Sequence, residues 1–261
     1  MSRSSSLSVL AFGTFLLLTA CSGGDEPATD AESAPASASA EASAEASTES
    51  GSTPSAEAEA GTGTYTDEEL AALLTSITAP DGSALTVVPA SQLDPLMDQG
   101  MQALDGVAVT PAECDVFNET SLAPPEGATY AVGVALSADG APETTVTVVS
   151  VEGAEDLMRT QAEESTELLE TCSSYEMEVE GVTLTAQTEL IDTTTEGNES
   201  QGARSTITLP TGETLRTTTI SAASGDFTVT AMNQQAGAEG ASVDGELEQL
   251  VNDVLAAADQ G

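Results

Sequence analysis

Residues 130–136 read YAVGVAL and residues 144–149 read TTVTVV, with Asp139-Gly140 between them. These runs are rich in valine and threonine, and apolar residues alternate with others as in β-strands. An Asp-Gly pair between two such runs is a hairpin signal. The segment from Glu152 to Thr171 then has the spacing of an amphipathic helix. Its predicted apolar stripe is Leu157, Met158, Ala162, Leu168 and Leu169. The fold therefore centres on a β-hairpin followed directly by a long helix.

Upstream of the hairpin, the sequence predicts two helices and a short strand. Thr66 is followed three residues later by Glu69, the capping-box arrangement that starts a helix. Pro80-Asp81-Gly82 then ends this helix. A strand is predicted over Leu85 to Val88, and a second helix over Ser91 to Leu104.

Downstream of the long helix, the sequence predicts a β-meander and a final helix. Five segments alternate polar with apolar residues and are separated by Gly- and Pro-containing turns. They are Tyr175–Val179, Thr183–Ile191, Ser205–Leu209, Leu215–Ser221 and Phe227–Met232. The last helix runs from about Asp244 to Ala258. The whole indicates a single α+β domain, with a mainly antiparallel sheet of seven or eight strands packed with about four helices. Frequent threonine on the polar phase predicts a sheet with one face in water.

The first 20 residues have the features of an export signal. Arg3 is followed by an apolar run from Leu7 to Leu18, which is too short for a stable membrane span. The run leads into Leu18-Thr19-Ala20-Cys21, which resembles the lipobox of bacterial lipoproteins. We therefore expect residues 1–20 to be a signal peptide and Cys21 to carry the lipid, on the extracytoplasmic face of the cell membrane.

Residues 21–64 contain the lipidated Cys21 and a low-complexity stretch. From Ser22 to Thr64 there is no Val, Leu, Ile, Met or aromatic residue. Such a stretch cannot offset its ordering entropy by burying apolar surface. It is predicted to be a disordered tether that averages about 35–40 Å end to end. The globular domain then occupies residues 65–261.

The charge of the chain limits its partners. There are 44 acidic residues against four Arg, with no Lys and no His, which gives a net charge of -40. Because nucleic-acid binding needs clustered cations, we expect no nucleic-acid partner. Anionic lipid headgroups would be repelled in the same way. The membrane contact is therefore expected through acyl chains on Cys21.

Two cysteines remain in the domain, Cys114 and Cys172. An even pair in an oxidising compartment indicates a disulfide bond. A redox or metal pair is the alternative, but the chain has neither a Cys-x-x-Cys motif nor a histidine to complete a zinc site.

The sequence offers no catalytic signature. Without His and Lys, Ser-His-Asp, Cys-His and Ser-Lys mechanisms are excluded. No GxSxG, P-loop, dinucleotide or EF-hand motif is present. Paired carboxylates could serve a hydrolase, yet among 44 acids some pair is always found. The acidic row on the long helix fits a solvated face better than a metal site. We expect no enzyme, no cofactor and no metal ion.

Several features occur in the same order in a family of actinobacterial envelope domains. They are the N-terminal helices, the segment Thr110-Pro111-Ala112-Glu113-Cys114, the hairpin from Tyr130, and the helix ending in Leu168-Leu169-Glu170-Thr171-Cys172. From about Asp67 to Ala258 the chain resembles the extracellular sensor domain of the mycobacterial PknH-type receptor kinases, which also occurs alone on lipoproteins. The resemblance implies a ligand-binding or sensory α+β module. The family has a Trp shortly before the helix-end Cys and a second disulfide, and this chain has neither.

Three functions follow as hypotheses. The first is a non-catalytic, ligand-binding or sensor-like lipoprotein, whose small-molecule, lipid or protein ligand sits in a cleft between sheet and helices. The second is an envelope carrier for a lipid or other hydrophobic molecule, which would need an apolar cavity of several hundred Å³. The third is a hydrolase with a buried pair of carboxylates.

Overall fold

One antiparallel sheet of nine strands organises this computed structural model, which describes residues 65–104, 106–115, 124–125, 127–137, 142–237 and 242–260. The predictions for the signal peptide, Cys21 and the tether fall on residues 1–64, outside the described residues. The strands run in the order β1-β3-β4-β9-β8-β7-β6-β5-β2 across the sheet. They are β1 Thr86–Pro89, β2 Ala108–Thr110, β3 Thr129–Leu136, β4 Pro142–Ser150, β5 Ser174–Val179, β6 Val182–Ile191, β7 Glu199–Thr208, β8 Thr214–Ser224 and β9 Phe227–Ala236.

Four α-helices accompany the sheet within the described ranges. They are α1 Asp67–Thr75, α2 Ala90–Leu104, α3 Ala154–Cys172 and α4 Asp244–Ala258. None of the helices in the described part of the chain is long and apolar enough to cross a membrane. The predicted α+β class with a mainly antiparallel sheet is confirmed. The strand missed by sequence is β2, whose three residues are too few to show a period-two pattern.

Helices α1 and α4 cover one face of the sheet, where the main core lies. The strand residues of this core are valine, alanine, isoleucine and Phe227, and the helices contribute leucine, valine and Ala258. Those with no exposed surface are Leu70, Leu74, Ala131, Val146, Val148, Ile220, Ala222, Val229, Ala231, Val251 and Val254. The predicted apolar face of α4 is confirmed, since Leu247, Leu250 and Leu255 are also buried.

The other face of the same strands carries hydroxyl groups. Thr145 and Thr147 of β4, Thr230 of β9, and Thr219 and Ser221 of β8 are half-buried there. Ser221 Oγ and Thr230 Oγ1 are hydrogen-bonded at 2.9 Å. The prediction of a face in water is met only in part, because α2 and α3 pack at the two sides of this hydroxyl-bearing strip.

The start of the domain is fixed by its first residues. Thr66 caps α1 through a capping box with Glu69, as predicted. Tyr65 donates from its hydroxyl to the Ala258 carbonyl at 2.7 Å and stacks edge-on against Phe227, with ring centroids 5.5 Å apart. The two ends of the described chain are thereby held together against the core.

Helix α3 corrects one detail of the predicted apolar stripe. Met158 is buried, but Leu157 is 41% exposed. The helix packs against β6 to β9, and Leu168 near its C-terminal end packs against the cluster that contains Tyr175 and Met177. Leu157 is one residue before Met158 and therefore points about 100° away from it around the helix.

Candidate functional site

The structure brings together the two domain cysteines. The sulfur atoms of Cys114 and Cys172 lie 2.04 Å apart and their Cα atoms 5.5 Å apart, which is disulfide geometry. Both residues are fully buried, against Tyr175, Met177 and Leu184. This pair joins a 3-10 turn, Ala112–Cys114, to the end of α3. Its surroundings are apolar, and the role that they support is structural.

A pocket of about 140 Å³ lies between the sheet and the first turn of α4. The turn between α1 and β1 closes it on one side. Its lining residues are Pro80, Asp81, Ala135, Leu136, Glu143, Thr144, Asn233, Val243, Glu246 and Leu247. The pocket therefore occupies a cleft between sheet and helices, the kind of place in which the sequence hypothesis puts a ligand.

Asn233 and Thr144 contribute polar groups from the sheet. They are paired across β9 and β4, and both are 5% exposed. Asn233 Nδ2 donates to Thr144 Oγ1 at 3.1 Å. Asn233 Oδ1 is buried and accepts a hydrogen bond from no described residue. Two other buried side-chain atoms have no hydrogen-bond partner in the described ranges, the Thr193 hydroxyl oxygen and the donor Nε of Arg204, but neither residue lines this pocket.

A β-bulge shapes the same end of the sheet. The register between β3 and β4 shifts between Ala135 and Leu136, and both residues line the pocket. Bulges bend a strand locally and re-aim its side chains. Leu136 is left 39% exposed at the pocket wall.

Three carboxylates lie among the lining residues: Asp81, Glu143 and Glu246. Asp81 sits in a tight turn, where Gly82 takes a positive φ of 84°. The side-chain and backbone hydrogen bonds from Ser83, at 2.7 and 2.9 Å, hold the pKa of the Asp81 carboxyl below its usual range. Asp81 is therefore ionised at neutral pH, and no described residue that lines the pocket has a cationic side chain.

Asn233 and Thr144 were not predicted as site residues, although the sequence contains a signal for them. Phe227, Val229 and Ala231 form the buried phase of β9, and Asn233 continues that phase with an amide. In β4, Val146 and Val148 are buried on the same face, and Thr144 is the polar residue on that face. A polar residue at a strand position where the alternation predicts a buried apolar one indicates a candidate functional site.

The described residues show neither the apolar cavity that a lipid carrier needs nor the buried carboxylate pair that a hydrolase needs. A carrier needs a hollow, but the space between α1, α4 and the sheet is filled by fully buried side chains. A carboxylate hydrolase needs buried acids, and the buried polar side chains in the described ranges are Thr144, Ser150, Thr218 and Asn233. In the same ranges, no group of three or more His, Cys, Asp or Glu is placed to hold a metal ion.

Comparisons with known proteins found structural similarity alone. No protein-family model matches the chain, and no curated protein matches it. The structure is similar to the extracellular domain of PknH from Mycobacterium tuberculosis, with a TM-score of 0.43, 14% identity, and coverage of 77% of this chain and 100% of that one. It is also similar to an uncharacterised protein from Mycobacterium smegmatis, with a TM-score of 0.36, 19% identity, and coverage of 59% and 77%. At these values no residue role carries over.

Proposed function

We propose that this chain is a lipid-anchored protein of the extracytoplasmic face of the cell membrane, whose α+β domain binds a small ligand without catalysing a reaction. The ligand site is the pocket lined by Asn233, Thr144 and the first turn of α4. The anchoring part rests on the sequence around Cys21, which resembles a lipobox. The binding part rests on the geometry of the pocket.

One observation carries the binding proposal. Asn233 Oδ1 is a buried acceptor that no described residue satisfies, in a residue that lines a pocket. Leaving such an atom unpaired costs about 1–3 kcal/mol, so buried polar groups normally have partners. The oxygen itself has almost no accessible surface, so a ligand donor that reaches it through a small shift of the pocket wall would supply the missing hydrogen bond.

The length of the tether determines how far the domain lies from the membrane. A flexible chain of the length of residues 22–64 averages about 35–40 Å end to end. Repulsion among its acidic residues extends it further. The domain would then sit clear of the lipid headgroups, with the pocket open to solutes.

Native mass spectrometry of the protein purified from its own envelope tests the binding proposal. We expect a bound small molecule on the parent protein and its loss from the Asn233→Leu variant, which keeps the size of the side chain and removes the acceptor. Thr230→Val, on the opposite face of the same strand, is the matched control and should keep the molecule. A parent protein whose mass is accounted for by the processed, acylated chain alone, or an adduct that survives Asn233→Leu, would contradict the proposed site.

A further inference from the structure

Residues 106–115, here called the strap, run along one edge of the sheet. They contain β2 and the 3-10 turn Ala112–Cys114. β2 is the last strand in the sheet order, and it pairs with β5 through three residue pairs. The backbone hydrogen bonds of the 3-10 turn close within the strap itself, at 3.0 and 3.2 Å. A short edge segment of this kind opens at a lower free energy than the central strands of a sheet.

Burial is confined to a single residue of the strap. Cys114 has no exposed surface, whereas the other nine residues are half-buried or exposed. Val107 and Val109 pack against the cluster that contains Tyr175 and Met177 of β5. The disulfide to the last residue of α3 is therefore the deepest attachment of the strap to the domain.

Like charges lie on both sides of this disulfide. The strap carries Glu113 and Asp115 and has no Lys or Arg. On α3, Glu167 and Glu170 are exposed near the C-terminal end, and the last turn has no basic residue. The C-terminal end of a helix also carries a partial negative charge from its aligned peptide dipoles. Because the 3-10 turn packs against α3, electrostatic repulsion favours the separation of these two segments.

We infer that the strap is a redox-controlled latch. The bond between Cys114 and Cys172 holds it closed against this repulsion, and reduction of the bond releases the strap from β5 while the rest of the domain stays folded. In the part of the chain that the structure describes, the main core under α1 and α4 contains no strap residue, and neither does the lining of the Asn233 pocket. The latch is therefore separate from the proposed ligand site.

Release of the strap changes the edge of the sheet. β5, Ser174–Val179, becomes the outer strand, and its six residues replace the three of β2 at this edge. Tyr175 and Met177, which are buried while the strap is closed, gain exposure. A longer unpaired strand is the more reactive edge, because it presents a longer row of free N–H and C=O groups. The latch therefore determines which strand forms the edge of the sheet.

A dithiol is the class of reductant that opens the latch. One thiolate of the dithiol attacks a sulfur of the Cys114–Cys172 bond, which breaks that bond and forms a mixed disulfide. The second thiolate then displaces the protein sulfur. The reductant leaves as a disulfide, having given two electrons, and its two protons end on the cysteine thiols. Because both cysteines are fully buried, the attack requires β2 to lift first, so its rate follows the opening of the strap.

The experiment measures thiol alkylation in the full chain carrying Cys21→Ser, which leaves Cys114 and Cys172 as its only cysteines. The protein is reduced with dithiothreitol, the reductant is removed without oxygen, and iodoacetamide is added under native conditions. Each alkylation rate is divided by the rate for the same protein unfolded in urea. Backbone amide exchange of Val229 and Val251, which are fully buried in the main core, reports whether the rest of the domain stays folded.

We expect both thiols to react within about tenfold of the unfolded rate, while the core amides exchange about a thousandfold more slowly than in the unfolded chain. Glu113→Gln with Glu170→Gln should slow alkylation about twofold to fivefold at low salt, because it weakens the repulsion. Raising NaCl to about 1 M should slow the parent protein in the same way. Glu68→Gln with Glu152→Gln removes two exposed acids elsewhere and should leave the rate nearly unchanged.

Three results would overturn the inference. Thiols that are as protected as the core amides would show that the strap stays closed without the bond. Loss of core amide protection on reduction would show that the bond supports the whole domain and not the strap alone. Equal rates in the charge variant and its control would show that like charge does not drive the opening.

Discussion

Asn233 Nδ2 donates to Thr144 Oγ1 across the pairing of β9 with β4, at 3.1 Å in a buried position. With this bond in place, the amide oxygen has no partner among the residues that the structure describes. The pair belongs to the face of the sheet that is otherwise packed with Val146, Val229 and Ala231. Apolar side chains of the same shape could replace both partners without loss of stability. The stability of the fold therefore does not explain why this polar pair is present.

The first prediction concerns the stability of this pair. The double variant Asn233→Leu with Thr144→Val should raise the free energy of unfolding by about 1 kcal/mol, because it removes the unsatisfied acceptor and fills the site with hydrocarbon. Urea denaturation measures the change. A loss of several kcal/mol would show that the pair is a structural element of the core.

Removing the disulfide should destabilise the domain strongly. The bond between Cys114 and Cys172 spans 58 residues of sequence. Closing a loop of that length is worth roughly 4 kcal/mol by chain entropy, so Cys114→Ala with Cys172→Ala should lose about that amount in urea denaturation. Alkylation of the unfolded, unreduced parent protein checks the premise, and two free thiols would refute it.

Arg204 should hold the first turn of α4, beside the pocket. It donates to Asp244 from one nitrogen to both carboxylate oxygens at 2.8 and 2.9 Å, and to Glu189 at 2.9 Å, and is 24% exposed. Arg204→Met should lower the unfolding free energy by about 1 kcal/mol, measured by chemical denaturation. Glu189→Gln, which loses the more exposed of the two pairs, should cost less. If both variants lower the unfolding free energy equally, the bond from Arg204 to Asp244 does not stabilise the first turn of α4 as predicted.

Glu155 should make part of the stability depend on pH. The Asn198 side chain, and then the Gly225 backbone N–H, donate to its carboxylate and lower its pKa in the folded protein. The pKa of a Glu side chain in the unfolded chain is about 4.3. The contribution of the ionised Glu155 to the unfolding free energy is therefore complete above that pH, and it is lost as the pH falls through the lower pKa of the folded protein. The stability difference between the parent and Glu155→Gln should therefore shrink between pH 6 and pH 3 in urea denaturation. A difference that is constant over this range would contradict the assignment.

Cys21→Ser should abolish membrane anchoring. The chain has only four cations and the tether contains no large apolar residue, so acyl chains on Cys21 are the expected anchor. Cell fractionation should find the variant in the medium or as an uncleaved precursor. A variant that is processed and still membrane-bound would show that another anchor exists.

Much of the fold was predictable because its signals are local. The capping box at Thr66 and the apolar face of α4 are written in residues three or four apart, and both match the structure. The bulge at Ala135, the exposure of Leu157 and the three-residue strand β2 depend instead on how distant segments pack. Sequence periodicity carries no information of that kind.

The site was harder to predict than the fold. Asn233 stood out only as an amide in the buried phase of β9, one residue beyond the predicted end of that strand at Met232. Asp81, Glu143 and Glu246 come from three separate segments that meet only in the folded chain. With 44 acids in the sequence, their types alone could not mark them.

The most direct test of the binding pocket is a crystal structure of the protein purified from its own envelope. We predict density larger than a water molecule between Asn233 and Glu246, with a donor atom about 3 Å from Asn233 Oδ1. A pocket that holds water alone, or an Oδ1 that accepts a hydrogen bond from the protein itself, would contradict the central claim.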